Sequence, residues 1–209
     1  LTINTGVVLT ISNGTGTDLT VNGTVTNAGT ITFTGTMAVG AGGVYNHNTN
    51  SLALPPSATT WDVASTLNIN GITTGGTITV SASTFGNFNY NSSAALLASN
   101  GNFVINGNAS FNAGTFVLSN STTARTLTLG GKLLLNGGSL TGNSTTGAAT
   151  IVFANQGLAN GGLEVIAGTL TGANITVNVG RTVQLESNLT YSNNNATVRT
   201  FTNNGIFVP

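Results

Sequence analysis

Asp18, Asp62, Glu164 and Glu186 are the only acids in the chain, and His47 is its only histidine. Paired carboxylates can work as general acid and base, or hold a metal, when the fold brings them together. Only Glu164 and Glu186, 22 residues apart, have a spacing that would stack them on adjacent rungs of a repeating fold, with Arg181 close by. The expectation is a surface charge pair at a rung edge and not a catalytic couple. His47 lies in the polar run Asn46-His47-Asn48-Thr49-Asn50 and is expected to be solvated. The chain has no cysteine, so disulfides, thiolate metal sites and cysteine nucleophiles are all absent. Without a second histidine or a motif around Asp62, no nucleophilic triad is supported. Gly130-Gly131-Lys132 lacks the leading glycine and the Ser/Thr of a phosphate-binding loop. The expectation is therefore a non-enzyme, with no catalytic, cofactor-binding or metal-binding residues and no cofactor.

The remaining candidates are surfaces. Phe85, Phe88 and Tyr90, with Trp61 upstream, form a local aromatic cluster. Such a cluster reads first as a stacked plug in a core. The alternative is a carbohydrate platform built on Trp61, Phe88 and Tyr90. Threonine arrays (Thr30-x-Thr32-x-Thr34, Thr77-x-Thr79, Thr126-x-Thr128, Thr169-x-Thr171) read as solvent faces of strands, with an ice- or sugar-binding surface as the rival. Asparagine is abundant, and Asn22, Asn106 and Asn136 are expected to ladder between rungs or to satisfy buried turn amides. Asn-x-Ser/Thr triplets, among them those at Asn91, Asn108, Asn174 and Asn188, occur as often as this composition implies by chance.

What must position these groups is β-structure. Residues 19–35 read LTVNGTVTNAGTITFTG, an alternation of apolar and small polar residues stopped at Asn-Gly and again at Asn-Ala-Gly. Looser copies recur down the chain. Thr, Val and Ile suit a pleated, half-buried surface, and Gly and Asn at this density penalise any helix. Residues 45–60, with Pro55 and Pro56, and residues 91–101 break the pattern and are expected to be irregular loops. The glycines closing short strands at 23, 71, 107 and 131 are separated by multiples of twelve, whereas Gly168 departs from the series. Short strands on such a period point to stacked coils. A membrane barrel would need strands of about 9–11 residues with aromatic girdles, and a β-sandwich does not explain the repeated strand–Asn-Gly–strand text. The predicted fold is all-β, a right-handed parallel β-helix with coils of roughly 20–24 residues. Its predicted core includes Val21, Val25, Ile31, Phe33, Ile69, Ile105 and Leu129. Residues 1–209 are read as one domain with a possible sub-boundary at 45–60, and as a segment of a longer protein.

Composition narrows the function classes. Hydrophobic residues make up 39% of the chain, enough to bury a core, and charged residues only 4% against a usual share of about a quarter. Four basic and four acidic residues cannot supply the clustered cations that nucleic-acid binding requires. No run approaches the roughly 18 apolar residues of a membrane helix. Neither nucleic-acid binding nor membrane insertion is expected.

Residues 60–73 (TWDVASTLNINGIT) and 83–91 (STFGNFNYN) resemble a segment of very large secreted or surface proteins of Bacteroidota. Residues 103–120 and 127–143 resemble the array units of the same proteins. Relatives often carry a cysteine near Tyr90, where this chain has Ser92. The resemblance implies a long β-solenoid array, export of the type 9 secretion kind, and no catalytic residues to carry over. Together these readings predict an extracellular structural or adhesin-like solenoid, a stalk or filament on the cell surface. Its partners would be further copies of itself, surface carbohydrate or other cells. A carbohydrate-binding or polysaccharide-degrading β-helix and an ice-binding solenoid stand as alternatives.

Overall fold

The computed structural model describes residues 1–54, 59–78, 83–94, 97–99, 101–119, 123–142, 149–154, 160–192 and 199–209. Every strand pairing in it is parallel, and the described residues contain no helix. The chain winds as a three-faced β-solenoid. The first face is a ten-stranded sheet running from Thr2–Ile3 to Ile206–Val208. The second face is built from a two-stranded and then a six-stranded sheet, the third from a three-stranded and then a six-stranded sheet. The chain visits the faces in a fixed order, as in Thr24–Asn27 (first), Thr30–Phe33 (second) and Met37–Val39 (third). At about 4.8 Å per rung the first face stacks to a length on the order of 45 Å.

Registers on the first face measure the coil. Thr2 pairs with Thr26, Thr24 with Val44, Val44 with Thr66 and Ala109 with Leu133, all steps of 20 to 24 residues. One coil is longer, because Leu133 pairs with Leu163. Its extra residues enter at one corner. Leu129 pairs with Phe153 on the third face, so the path back to the first face lengthens from Leu129–Leu133 to Phe153–Leu163.

Period-two alternation turns one side of every strand inward. Val21, Val25, Ile69, Ile105 and Leu129 lie in one continuous core, as predicted. Ile31 and Phe33 differ: they pack against that core but are only half-buried. The reason is a gap on the second face. Between Val44–His47 on the first face and Thr59–Trp61 on the third, no described strand occupies the second. Leu52–Leu54 crosses that position with only an isolated bridge at Ala53, so Thr30–Phe33 has no strand above it. The irregular stretch is thus shorter than the expected 45–60, and strands occupy both of its ends. The expected loop at 91–101 likewise holds the strand Leu97–Ser99. The Ala-rich centre of that stretch suits one short helical turn by composition, and its residues 95 and 96 lie outside the described residues.

Corners are tight. Gly71 follows Thr66–Ile69, and a Cβ there would run into the Asn48 carbonyl of the preceding coil. Asp18 closes another corner. Its Oδ1 accepts from the Gly14 amide (2.7 Å) and its Oδ2 from the Thr36 amide (2.8 Å) of the next coil. The Thr36 bond, with that from Gly14, holds the carboxyl below the usual carboxylate range.

Candidate functional site

The aromatic cluster is internal. Phe88 and Tyr90 are 1% and 0% exposed, and Trp61 is half-buried. Rings connect from Tyr45 to Phe116. Tyr45 meets Trp61 edge-on at 6.4 Å, Trp61 meets Phe85 at 5.4 Å, and Phe85 meets Phe88 and Phe103 at 6.1 and 6.0 Å. Phe116 then contacts Phe88, Tyr90, Phe103 and Phe111. Tilted and edge-to-face pairs at these distances add about 0.5–1.5 kcal/mol beyond area burial. Phe88 and Tyr90 therefore form no surface platform. They point inward because Leu67 and Ile69, their register partners below, are inward residues of the same sheet.

The carboxylates separate into two kinds. Asp18 and Asp62 serve their own corners, Asp62 by accepting from the Ala64 amide at 2.8 Å. Glu164 and Glu186 come together on the outside of the first face, where Lys132 bridges them. Its Nζ pairs with Glu164 and lies 2.5 Å from Glu186. These two hydrogen bonds raise the Lys132 pKa. Gly162 leaves the room, since a Cβ there would sit 2.6 Å from Glu186 Oε1. Arg181 does not join the cluster; it is buried and donates to the Gly130 carbonyl. The cluster has one cation between two anions. Among the described residues, no group of three His, Asp or Glu side chains gathers to hold a metal ion.

His47 is not solvated. It ends the strand Val44–His47, is 1% exposed, and its Nε2 lies 2.8 Å from the Ser51 carbonyl. A carbonyl only accepts, so Nε2 carries the proton and Nδ1 is a bare acceptor. Nδ1 is buried without a hydrogen bond. Burial pulls the His47 pKa below its ordinary value, opposed in part by the bond to Ser51. Two residues earlier, Tyr45 is also inside. Its hydroxyl accepts from Asn27 Nδ2 at 3.0 Å, and burial pushes its pKa up to about 12 despite that bond.

Asparagine ladders do form, at positions other than those expected. Asn89 donates to Asn68 (2.8 Å), Asn68 to Asn46 (2.7 Å), and Asn46 to Thr26 (3.2 Å). Two residues on, Asn112 donates to Asn91 (2.6 Å), Asn91 to Asn70 (2.8 Å) and Asn70 to Asn48 (3.0 Å). The signal was present as Asn-x-Asn at 46/48, 68/70 and 89/91, one coil apart. The Asn91 amide, in an Asn-x-Ser triplet, is engaged on both sides within this ladder. The threonine arrays do not stack into one uniform surface. On the third face the outward file reads Thr84, Val104, Thr128, Val152, Thr176, Thr202, so valine interrupts it.

The gap on the second face opens a cavity of about 330 Å³. Its floor is the buried trio Asn27, Tyr45 and Leu54. Ile31, Phe33 and Thr49 form half-buried walls, and Thr30, Ser51 and Ala53 an exposed rim.

Geometry and chemistry together define the class as a three-faced parallel β-solenoid repeat protein. No protein-family model, curated protein or solved structure matches the chain.

Proposed function

We propose that this chain is a structural rod of an extracellular bacterial protein, an adhesin-like stalk or filament segment that acts without catalysis, as the Bacteroidota surface arrays it resembles would. The observation that carries this reading is the uninterrupted ladder of ten strands on the first face, sealed by one apolar and aromatic core. Such a build resists bending and spends its side chains on stacking. Lys132 with Glu164 and Glu186 ties successive coils together. The interior placement of Phe88 and Tyr90 favours this reading over a platform-type carbohydrate binder. The valines in the threonine file favour it over ice binding.

Self-association is part of the proposal. Thr2–Ile3 and Ile206–Val208 are edge strands of the first face, and exposed apolar residues gather there: Leu1, Val7 and Val8 at one end, Phe201, Ile206 and Val208 at the other. A parallel edge strand with exposed apolar neighbours is a template for further coils, whether of the same chain or of a second copy. A net charge of zero offers no long-range repulsion against that contact.

Electron microscopy and analytical ultracentrifugation of the purified chain test this. Rods that lengthen with concentration are expected, and replacing Ile206 and Val208 by lysine should return them to single particles. Compact particles of one size at every concentration would reject the filament reading. Antibody labelling of intact producing cells tests the location, and epitopes reachable only after lysis would reject it.

A further inference from the structure

We propose that the cavity left by the missing second-face strand binds one neutral pyranose-sized sugar. This site is separate from the end-to-end contacts above, and neither proposal depends on the other.

The cavity has a structural cause. Every other described coil that reaches the second face lays a strand there, and those strands pair in register. Leu52–Leu54 makes only the bridge at Ala53, and its Leu52 packs against Gly76 of the coil above. Space therefore opens on the lower side, toward Thr30–Phe33. Its volume of about 330 Å³ lies at the small end of the range of roughly 300–1,000 Å³ for ligand pockets.

The lining selects the chemistry. No charged side chain stands among the described lining residues, so an ionic ligand would be desolvated without compensation. Phe33 and Ile31 offer an apolar wall for the C–H face of a sugar ring. Thr30, Thr49 and Ser51 carry hydroxyls that both donate and accept, as sugar hydroxyls do. The floor holds the sharpest feature. Tyr45 is 2% exposed, and its oxygen accepts from Asn27, whose own Oδ1 accepts from the Gly29 amide at 3.1 Å. The Tyr45 hydroxyl proton has no acceptor among the described residues. A buried donor without a partner in a cavity wall calls for an oxygen from a ligand. A neutral sugar supplies that oxygen and an apolar ring face together.

Saturation-transfer NMR on the whole chain tests this, with glucose, galactose, mannose and N-acetylglucosamine as probes and glucuronate as the charged control. Transfer to at least one neutral sugar and none to glucuronate is expected. Tyr45→Phe removes one hydroxyl and should weaken binding by up to about tenfold. Ala53→Trp fills the cavity from the rim without touching the core, so it should abolish transfer while the melting temperature holds. That variant decides the matter even where Tyr45→Phe loses its fold. No transfer at sugar concentrations up to about 10 mM would overturn the proposal. So would equal transfer to glucuronate, or binding unchanged in Ala53→Trp. A glycan array separates the two sources of the same chemistry. Binding there identifies the end of a glycan chain, and binding in solution alone identifies a free sugar.

Discussion

His47 occupies an inward row that runs Ile3, Asn27, His47, Ile69, Tyr90, Phe111 and Leu135. A titratable group buried in such a row has a pH cost. Burial lowers its folded pKa below the ordinary 6.5. Above that value both folded and unfolded chains hold it neutral, and its contribution is fully present. As pH falls below it the unfolded chain takes the proton first, so stability is lost until the folded pKa is passed. Thermal melts between about pH 7 and pH 5 should show this decline, at no more than about 1.4 kcal/mol per pH unit from one group. His47→Leu should flatten it, and an unchanged slope in that variant would assign the effect elsewhere. Asp18 acts in a separate window, because its lowered pKa makes stability fall only as pH drops below 3.8. The ladder offers a second test. Asn68→Ala removes two half-buried side-chain hydrogen bonds and should cost about 1–2 kcal/mol in a denaturant titration. Serine in place of Asn112, the top of its ladder, should cost less.

At the scale of the coil, corners decide more than strands. Gly71 sits against the Asn48 carbonyl, so Gly71→Ala must push two coils apart and should cost about 1–3 kcal/mol. Gly23 has open space around it, and Gly23→Ala should be nearly neutral in the same denaturation assay. Both glycines end a strand–Asn-Gly unit in the sequence, where nothing distinguishes them. Strand text is legible in most of the chain: the alternation in residues 19–35 marks Val21 and Val25 as inward, and both are buried. The polar run from Asn46 has the composition of a loop. Its parity said otherwise, since Tyr45 and His47 alternate with Val44 and Asn46 as in any other strand. Parity failed for Ile31 and Phe33 in the other sense. Both point inward, but no described strand covers them.

Across the whole molecule each coil touches chiefly its neighbours, so stability is a sum along one axis. Protection from amide hydrogen exchange should peak in Asn87–Tyr90 and Ala109–Phe111, where the rings are densest, and fall toward Thr2–Ile3 and Ile206–Val208. Uniform protection from end to end would contradict this, since it requires the rod to open as one unit. The sequence by itself determined the class of fold and the inward side of most strands. These are local properties: alternation, glycine corners and residue inventory are read without knowing what lies one coil away. Only the tertiary structure decided which residues share a row. Coils of 20, 22, 24 and 30 residues differ in their corners, and a corner's length carries no periodic signal. That is why the Lys132 bridge to Glu164 and Glu186, the Asn46–Asn68–Asn89 ladder and the cavity over Asn27 and Tyr45 emerge from the stacking alone.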